Sequence, residues 1–333
     1  MRHFCTYFDS NYFLRGLTLY RSLQATGCEF TLHVLALDER THSTLSALRV
    51  PDLRSIRLDQ LESWEPALQV AKTNRKQIEY YFTLSPILPL FILEGNPSIE
   101  IITYLDADLY FYRSPEPLFR ELGDQSILIT EHRFPQYLRE KEKFGRYNVQ
   151  YQSFRRDPQG LACLERWKQQ CLRWCYDRLE DGKFADQKYL EEWPALYDRL
   201  VVSQHKGAAV APWNWATHPI QLAGNAVTVG GDPLIFFHFH GVKIFNPYFI
   251  SNGLVDFGLM PYMLRRWSYV GYLRQLRATK RWLGTLGIDG FRLRDRFLRS
   301  GGIRDRYLRG GAIKTATLAE IVRKAWGQSM ITL

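Results

Sequence analysis

Apolar positions along the first 130 residues alternate between two periods. The runs "HFCTYF" (3–8), "FTLHVLALD" (30–38), "LRSIRL" (53–58), "IEIITYL" (99–105) and "SILITEH" (126–132) read as short strands. The fourth is too apolar to face water on either side. Between the first two, Phe13, Leu17, Tyr20 and Leu23 recur at helical spacing, with Ser10 placed as the cap and Gly27 as the stop. Between the third and fourth, "RKQIEYYFTLSPILPLFILEG" (75–95) has a helical pattern that Pro86 and Pro89 are expected to break or kink. Asp157 before Pro158 predicts a capped helix through Leu161, Leu164, Trp167, Cys171 and Trp174 to Leu179, closed by Gly182. "RLVVSQ" (199–204) and "PLIFFHFHG" (233–241) are further strands. Strands alternating with helices predict an α/β domain whose mostly parallel sheet is covered on both faces.

Beyond about residue 258 the pattern changes. "PYMLRRWSYVGYLRQLRATKRWLG" (261–284) sets Met263, Trp267, Val270, Leu273 and Leu276 at helical spacings with arginines between them. A ten-residue repeat follows, "LRDRFLRSGG" (293–302) then "IRDRYLRGGA" (303–312). In "TLAEIVRKAWG" (317–327), Thr317 and Glu320 form a capping box ahead of an apolar stripe ended by Gly327. The expected organisation is a domain over 1–258 and a basic, mostly helical extension over 259–333.

Charge sharpens that division. Of the net +10, residues 259–333 hold 16 Lys/Arg against 4 Asp/Glu, leaving 28 basic and 30 acidic groups in the first 258 residues. Basic groups interleaved with Trp267, Tyr269, Tyr272, Trp282, Phe291, Phe297 and Tyr307 suit an anionic membrane surface, an acidic lipid-linked acceptor or nucleic acid. No recognised nucleic-acid motif accompanies them, so peripheral attachment to an anionic membrane is the expectation, against a solvated appendage or a nucleic-acid-binding protein on a non-catalytic scaffold. The N-terminal stretch lacks the apolar core of a secretory signal, and no run of 18 apolar residues occurs, so a cytoplasmic location is expected. The five cysteines are odd in number and form no CxxC pair, which predicts buried thiols rather than a zinc site.

The candidate chemistry begins with "YLDADLY" (104–110). Two carboxylates end the most buried strand, where ligands of open α/β sheets bind, and a hard divalent cation such as Mn²⁺ or Mg²⁺ would relieve their repulsion. The competing reading makes one aspartate a turn cap and leaves the other solvated. His238 and His240 in "HFHGVK" (238–243) offer a third ligand, Gly241 allows close backbone approach, and Lys243 supplies a charge for phosphate.

Taken in order, these motifs resemble the retaining glycosyltransferases of the GT-A fold, in particular glycosyltransferase family 8, which contains glycogenin and bacterial lipopolysaccharide glucosyl- and galactosyltransferases. The resemblance spans roughly residues 1–250. It implies a Rossmann-like α/β nucleotide-diphospho-sugar transferase, with Tyr7, Asp9 and Asn11 of "TYFDSNYF" on the donor nucleotide. Asp106, Asp108 and His238 (His240 as the alternative) would bind the metal, and Gly241 and Lys243 the diphosphate. Asn148 of "YNVQYQ" would line the sugar pocket, and Asp186 and Gln187 of "FADQKYL" would lie beside the anomeric carbon. The implied activity is metal-dependent transfer of a sugar, with retention, from a UDP-sugar to a glycan, lipid-linked or lipopolysaccharide acceptor. Three departures stand out: Thr83 occupies the place of an arginine that contacts the donor sugar, with Arg75 and Lys76 as the nearest substitutes. Val-Gln follows Asn148 where the family has Ala-Gly, and one residue rather than two separates Gly241 from Lys243.

Overall fold

Seven strands form the central sheet in the order β3-β2-β1-β4-β7-β6-β8. They are β1 (Arg2–Phe8), β2 (Phe30–Ala36), β3 (Leu53–Arg57), β4 (Ile101–Leu105), β6 (Ile127–Glu131), β7 (Tyr147–Arg155) and β8 (Leu200–Val202). Strand β5 (Leu109–Phe111) lies outside it. The computed structural model describes residues 1–293 except 225, 247, 248 and 259, together with 295 and 330–332. Strands β1 to β4 run parallel; β7 is antiparallel to β4 and to β6, and β8 is parallel to β6. The order turns at β1, between the β1–β2–β3 half and β4, and ligands of such sheets bind beyond the strand ends there.

One hydrophobic cluster joins the helix Phe13–Ala25 to residues 208–210, 234–244 and 260–293. The other places the helices Gln77–Gly95 and Pro158–Arg173 together and encloses Cys5, Cys163, Cys171 and Cys175 as free thiols. After β8 come a meander of β9 (Ile220–Ala223), β10 (Ala226–Val229) and β11 (Asp232–Pro233), then β12 (Phe236–His238). Strand β12 pairs antiparallel with β5, setting His238 opposite Leu109.

Three local expectations are corrected. Ser10 does not cap the first helix: its backbone N–H donates to Asp38 Oδ2, and the turn into the helix is held by Asp9, whose carboxylate accepts from the Asn11 and Tyr12 backbone N–H groups. Pro86 and Pro89 do not interrupt the helix Gln77–Gly95. Leu84, Ile87, Leu88, Leu90, Ile92 and Leu93 are all buried, and that tertiary packing outweighs the hydrogen bonds the two prolines remove. The helix begun by Asp157 and Pro158 ends at Arg173, not Leu179. Its last carbonyls find other partners: Arg75 donates to Cys171 and Leu172, and Tyr189 Oη donates to Trp174.

The described part of the basic extension packs on the first helix. The helix Gly271–Thr285 buries Tyr272, Leu273, Leu276, Thr279 and Leu283. Thr18 Oγ1 donates to Thr279 Oγ1 at 2.9 Å, Phe239 and Tyr272 stack at 3.8 Å, and Phe13 and Phe291 stack at 3.9 Å. Residues 330–332 add a strand to 249–251. The ten-residue repeat, apart from Leu293 and Asp295, and the 317–327 segment lie outside the described residues. Among those described, no helix is long and apolar enough to cross a membrane.

Candidate active site

The apolar run of β4 carries the chain to the carboxyl edge of the sheet, where Asp106 N–H donates to the carbonyl of Gln150 on β7. The turn 106–109 then leads into β5, and pairing of β5 with β12 returns His238 to Asp108 across 130 residues of sequence. His238 Nε2 lies 3.0 Å from Asp108 Oδ1 and 3.7 Å from Asp106 Oδ2. One ligand atom from each of the three lies within 4.8 Å of the others. Tyr104 Oη donates to Asp106 Oδ1 at 3.1 Å, and Gln150 Oε1 sits 2.9 Å from His238 Nδ1. With Nδ1–H donated to that amide, the Nε2 lone pair faces the carboxylates, the arrangement a metal-ligating histidine needs.

Electrostatics fit a cation at this point. Burial raises the Asp106 carboxyl to about 6 against the pull of His238, with Asp108 adding to the rise. For Asp108 the same burial is outweighed by the charge and hydrogen bond of His238, so its carboxyl falls. Burial lowers the basicity of His238, but Asp108 and Asp106 reverse the sign. Two oxygen donors and one nitrogen, partly open on the Asp106 side, suit Mn²⁺ or Mg²⁺. His240 is not part of the cluster: β12 ends at His238, and the His240 ring turns edge-on to Trp213 at 5.4 Å. Among the described residues no cysteine joins a metal-ligand group.

Beside the triad, polar side chains form a chain of contacts. Asn148 Oδ1 accepts from Gln150 N–H at 2.8 Å, while Asn148 Nδ2 is 3.2 Å from Gln187 Oε1 and 2.7 Å from His132 Nε2. Gln187 Nε2 donates to the Phe144 carbonyl. Asp186 is buried beside Gln187 and near Ser85, whose hydroxyl lies 3.2 Å from Tyr7 Oη. Burial, helped by Asp106 and opposed by Ser85, raises the Asp186 carboxyl to about 7. The preceding Ala185 has φ of +46°, a left-handed conformation costly for alanine, and Trp167 Nε1 fixes the Asp186 carbonyl at 2.8 Å.

The remaining expected positions are at the rim. Tyr7 is the last residue but one of β1, with its ring against Tyr104. The Asp9 carboxylate accepts from Asn11 Nδ2 at 2.7 Å as well as from the backbone. Gly241 has φ of +72°, and a Cβ placed on Gly253 would lie 3.0 Å from the Gly241 carbonyl carbon, so the two loops meet through glycine. Lys243 opens the next strand, Lys243–Asn246, and is exposed. Arg75 does not point its guanidinium at this site: it donates to Thr83 Oγ1 and to the helix-end carbonyls. Gln150, His132 and Ser85 belong to the network and were not expected from sequence. Alternation along β7 sets Gln150 on the face of Asn148, a signal that would have found it; nothing comparable marks His132 or Ser85.

No family model matches the chain. It is similar to the galactosyltransferase LgtC, solved in complex with donor and acceptor sugar analogues, with a TM-score of 0.52 at 15% identity over 83% of this chain and 95% of that one. An active-site Gln-to-Glu variant of LgtC gives a TM-score of 0.50 at 16% identity over the same shares. The fold is therefore that of GT-A glycosyltransferases. Two Bacillus subtilis (strain 168) proteins are nearer in sequence. The uncharacterized protein YfnD is 27% identical over 245 residues, 73% of this chain and 78% of YfnD. The uncharacterized protein YfnF is 34% identical over 249 residues, 72% of this chain and 82% of YfnF. At that identity and coverage, the chain belongs to the family of YfnF.

Proposed function

We propose that this protein is a glycosyltransferase that uses a divalent cation to move a sugar from a nucleoside-diphosphate donor, a UDP-sugar, onto a glycan or lipid-linked acceptor with retention of configuration. The observation that carries the reading is the convergence of Asp106, Asp108 and His238 within 4.8 Å at the carboxyl edge of the sheet, next to the linked pair Asn148 and Gln187. The fold shared with LgtC supports it, as does the active-site role of a glutamine in that enzyme.

A cation held by the triad would supply positive charge to a departing diphosphate. Lys243 adds a second positive group on the leaving side. Asp186 orients the sugar by accepting from its hydroxyls, and the Gln187 carbonyl, held by Asn148, faces the positive charge that grows at the anomeric carbon. The bond from that carbon to the phosphate oxygen breaks with the electron pair leaving on the diphosphate. The acceptor oxygen bonds to the carbon on the same face and its proton passes to the departing phosphate oxygen. An amide is a poor nucleophile, which favours this course over a covalent enzyme intermediate.

The test is a screen of nucleotide sugars for release of UDP with Mn²⁺ or Mg²⁺. Turnover that Asp108→Ala and chelation both abolish, with the fold retained by circular dichroism, is expected; full turnover in chelated enzyme overturns the metal role. The reading puts the acceptor at an anionic membrane surface, and what supports it is the exposed Arg266, Arg274, Lys280 and Arg281 on a stretch with no acid between Leu259 and Ile288. Co-sedimentation with phosphatidylserine vesicles is expected to fall when these four are replaced by glutamine, and unchanged binding overturns that placement.

A further inference from the structure

The backbone on both sides of Lys243 is held by one buried ion pair whose partners are 280 residues apart. Arg15, on the first helix, donates from Nη2 to the Val242 carbonyl at 3.1 Å. The same guanidinium pairs with Asp295 at 3.0 Å, and the side chains are only 4% and 11% exposed. Asp295 in turn accepts the Ile244 N–H on Oδ2 at 2.8 Å and donates its own N–H to the Ile244 carbonyl at 2.8 Å. Val242 and Ile244 are buried and Lys243 between them is exposed. Fixing the carbonyl before Lys243 and both peptide groups of the residue after it sets the direction of the Lys243 Cα–Cβ bond. Lys243 follows the ligand His238 by five residues, across the turn at Gly241.

The segment carrying Asp295 is anchored independently. Phe291 stacks on Phe13 at 3.9 Å with Arg40 over its other face at 4.3 Å, and Leu293 is buried. Taking two charges out of water is costly, and an apolar pair would pack more cheaply, so stability alone does not account for an ion pair here.

We propose that Arg15 and Asp295 are positioning residues for Lys243, so that the segment after residue 259 completes the donor-diphosphate site of the catalytic body. The inference rests on the reading that Lys243 binds the donor diphosphate. It predicts that Asp295 acts on donor affinity only through Lys243.

The experiment measures UDP binding in the presence of Mn²⁺ by calorimetry on the full chain, for wild type, Lys243→Met, Asp295→Asn and the double variant, with melting curves taken without ligand. Losing a charged contact to the diphosphate is expected to weaken UDP binding about tenfold in Lys243→Met. Asp295→Asn is expected to weaken it by a similar or smaller factor, and to change nothing further once Lys243 is methionine. Should Asp295→Asn alone leave Arg15 too poorly paired to fold, Arg15→Met with Asp295→Asn removes both charges and takes its place in the cycle. Unchanged affinity in Lys243→Met overturns the underlying reading of Lys243. A normal Asp295→Asn beside a weakened Lys243→Met, or losses that multiply in the double variant, overturns the positioning role alone.

Discussion

Gln150 Oε1 and His238 Nδ1 are 2.9 Å apart, and this contact turns His238 Nε2 toward Asp108 and Asp106. Gln150 is fully buried on β7; its backbone bonds Asp106 and Asn148, and its side-chain oxygen meets the site at the His238 ring. Replacing it by leucine frees the imidazole to rotate and to change tautomer. Gln150→Leu is expected to weaken Mn²⁺ binding by roughly 10- to 100-fold, the usual effect of losing the outer partner of a ligating histidine. Mn²⁺ titration followed by electron paramagnetic resonance reads this directly, and an unchanged dissociation constant would show that the ring is held by its packing alone.

His132 stands in a comparable relation to the sugar side of the site. Its Nδ1 lies 3.3 Å from the Arg146 carbonyl and its Nε2 2.7 Å from Asn148 Nδ2, while Phe134 stacks on the ring at 4.8 Å. Burial pushes the imidazole down to about 3, so it is neutral and accepts from the Asn148 amide across the working pH range. His132→Leu leaves a buried amide N–H without its acceptor, which costs about 1–3 kcal/mol. The Asn148 amide is then free to turn from Gln187, so kcat for UDP release is expected to fall at least about tenfold while UDP affinity stays near that of the wild type. A loss in UDP affinity equal to the loss in kcat would place His132 in the general stability of the domain instead.

Arg75 supports the fold. Its guanidinium closes the end of the helix Pro158–Arg173 and bonds the buried Thr83 hydroxyl. Arg75→Ala is expected to lower stability by about 1–3 kcal/mol through the lost charge-assisted bonds to Thr83 and the helix-end carbonyls, in a chemical denaturation series. KM for the sugar donor is expected to hold. A raised KM at unchanged stability would restore Arg75 as a donor contact.

What was legible in the sequence divides along a physical line. Local periodicity was sufficient for β1, β2, β4 and β6, because each is a short run in which burial on both faces leaves little choice of residue. Asp106 and Asp108 were legible because charges at the end of such a run need a reason. Their partner His238 was legible through the spacing to Gly241. The failures all involve partners distant in sequence. Pro86 and Pro89 are tolerated because neighbouring elements bury their helix. The helix after Asp157 stops at Arg173 because Arg75, some 96 residues earlier, takes its carbonyls. Asp295 looked like one acid in a basic repeat, and only the fold brings it to Arg15. A one-dimensional pattern encodes a face or a stop, but not which distant group will satisfy a buried polar atom.

Asp186 should leave its mark on the pH dependence of both stability and turnover. Its carboxyl is raised to about 7, first by burial and then by Asp106, so between about pH 4 and 7 the folded chain holds a proton that the unfolded chain has lost. The folded state therefore binds more protons than the unfolded state in that window, and stability falls as pH rises through it, up to about tenfold in the unfolding constant per pH unit. Asp186→Asn removes the titration: in chelator, its melting temperature is expected to gain on the wild type steadily from pH 4 to 7 and to keep pace above that. Parallel curves would mean that Asp186 is already ionised at pH 4. For turnover, only the ionised carboxylate accepts from the sugar hydroxyls without offering a proton of its own, so activity should rise with pH on an acid limb that the asparagine variant lacks. Because part of the elevation comes from the Asp106 charge, saturating Mn²⁺ at Asp106 and Asp108 should move that limb to lower pH than limiting Mn²⁺ does. A limb that stays in place as the metal is varied would locate its origin away from the Asp106–Asp186 pair.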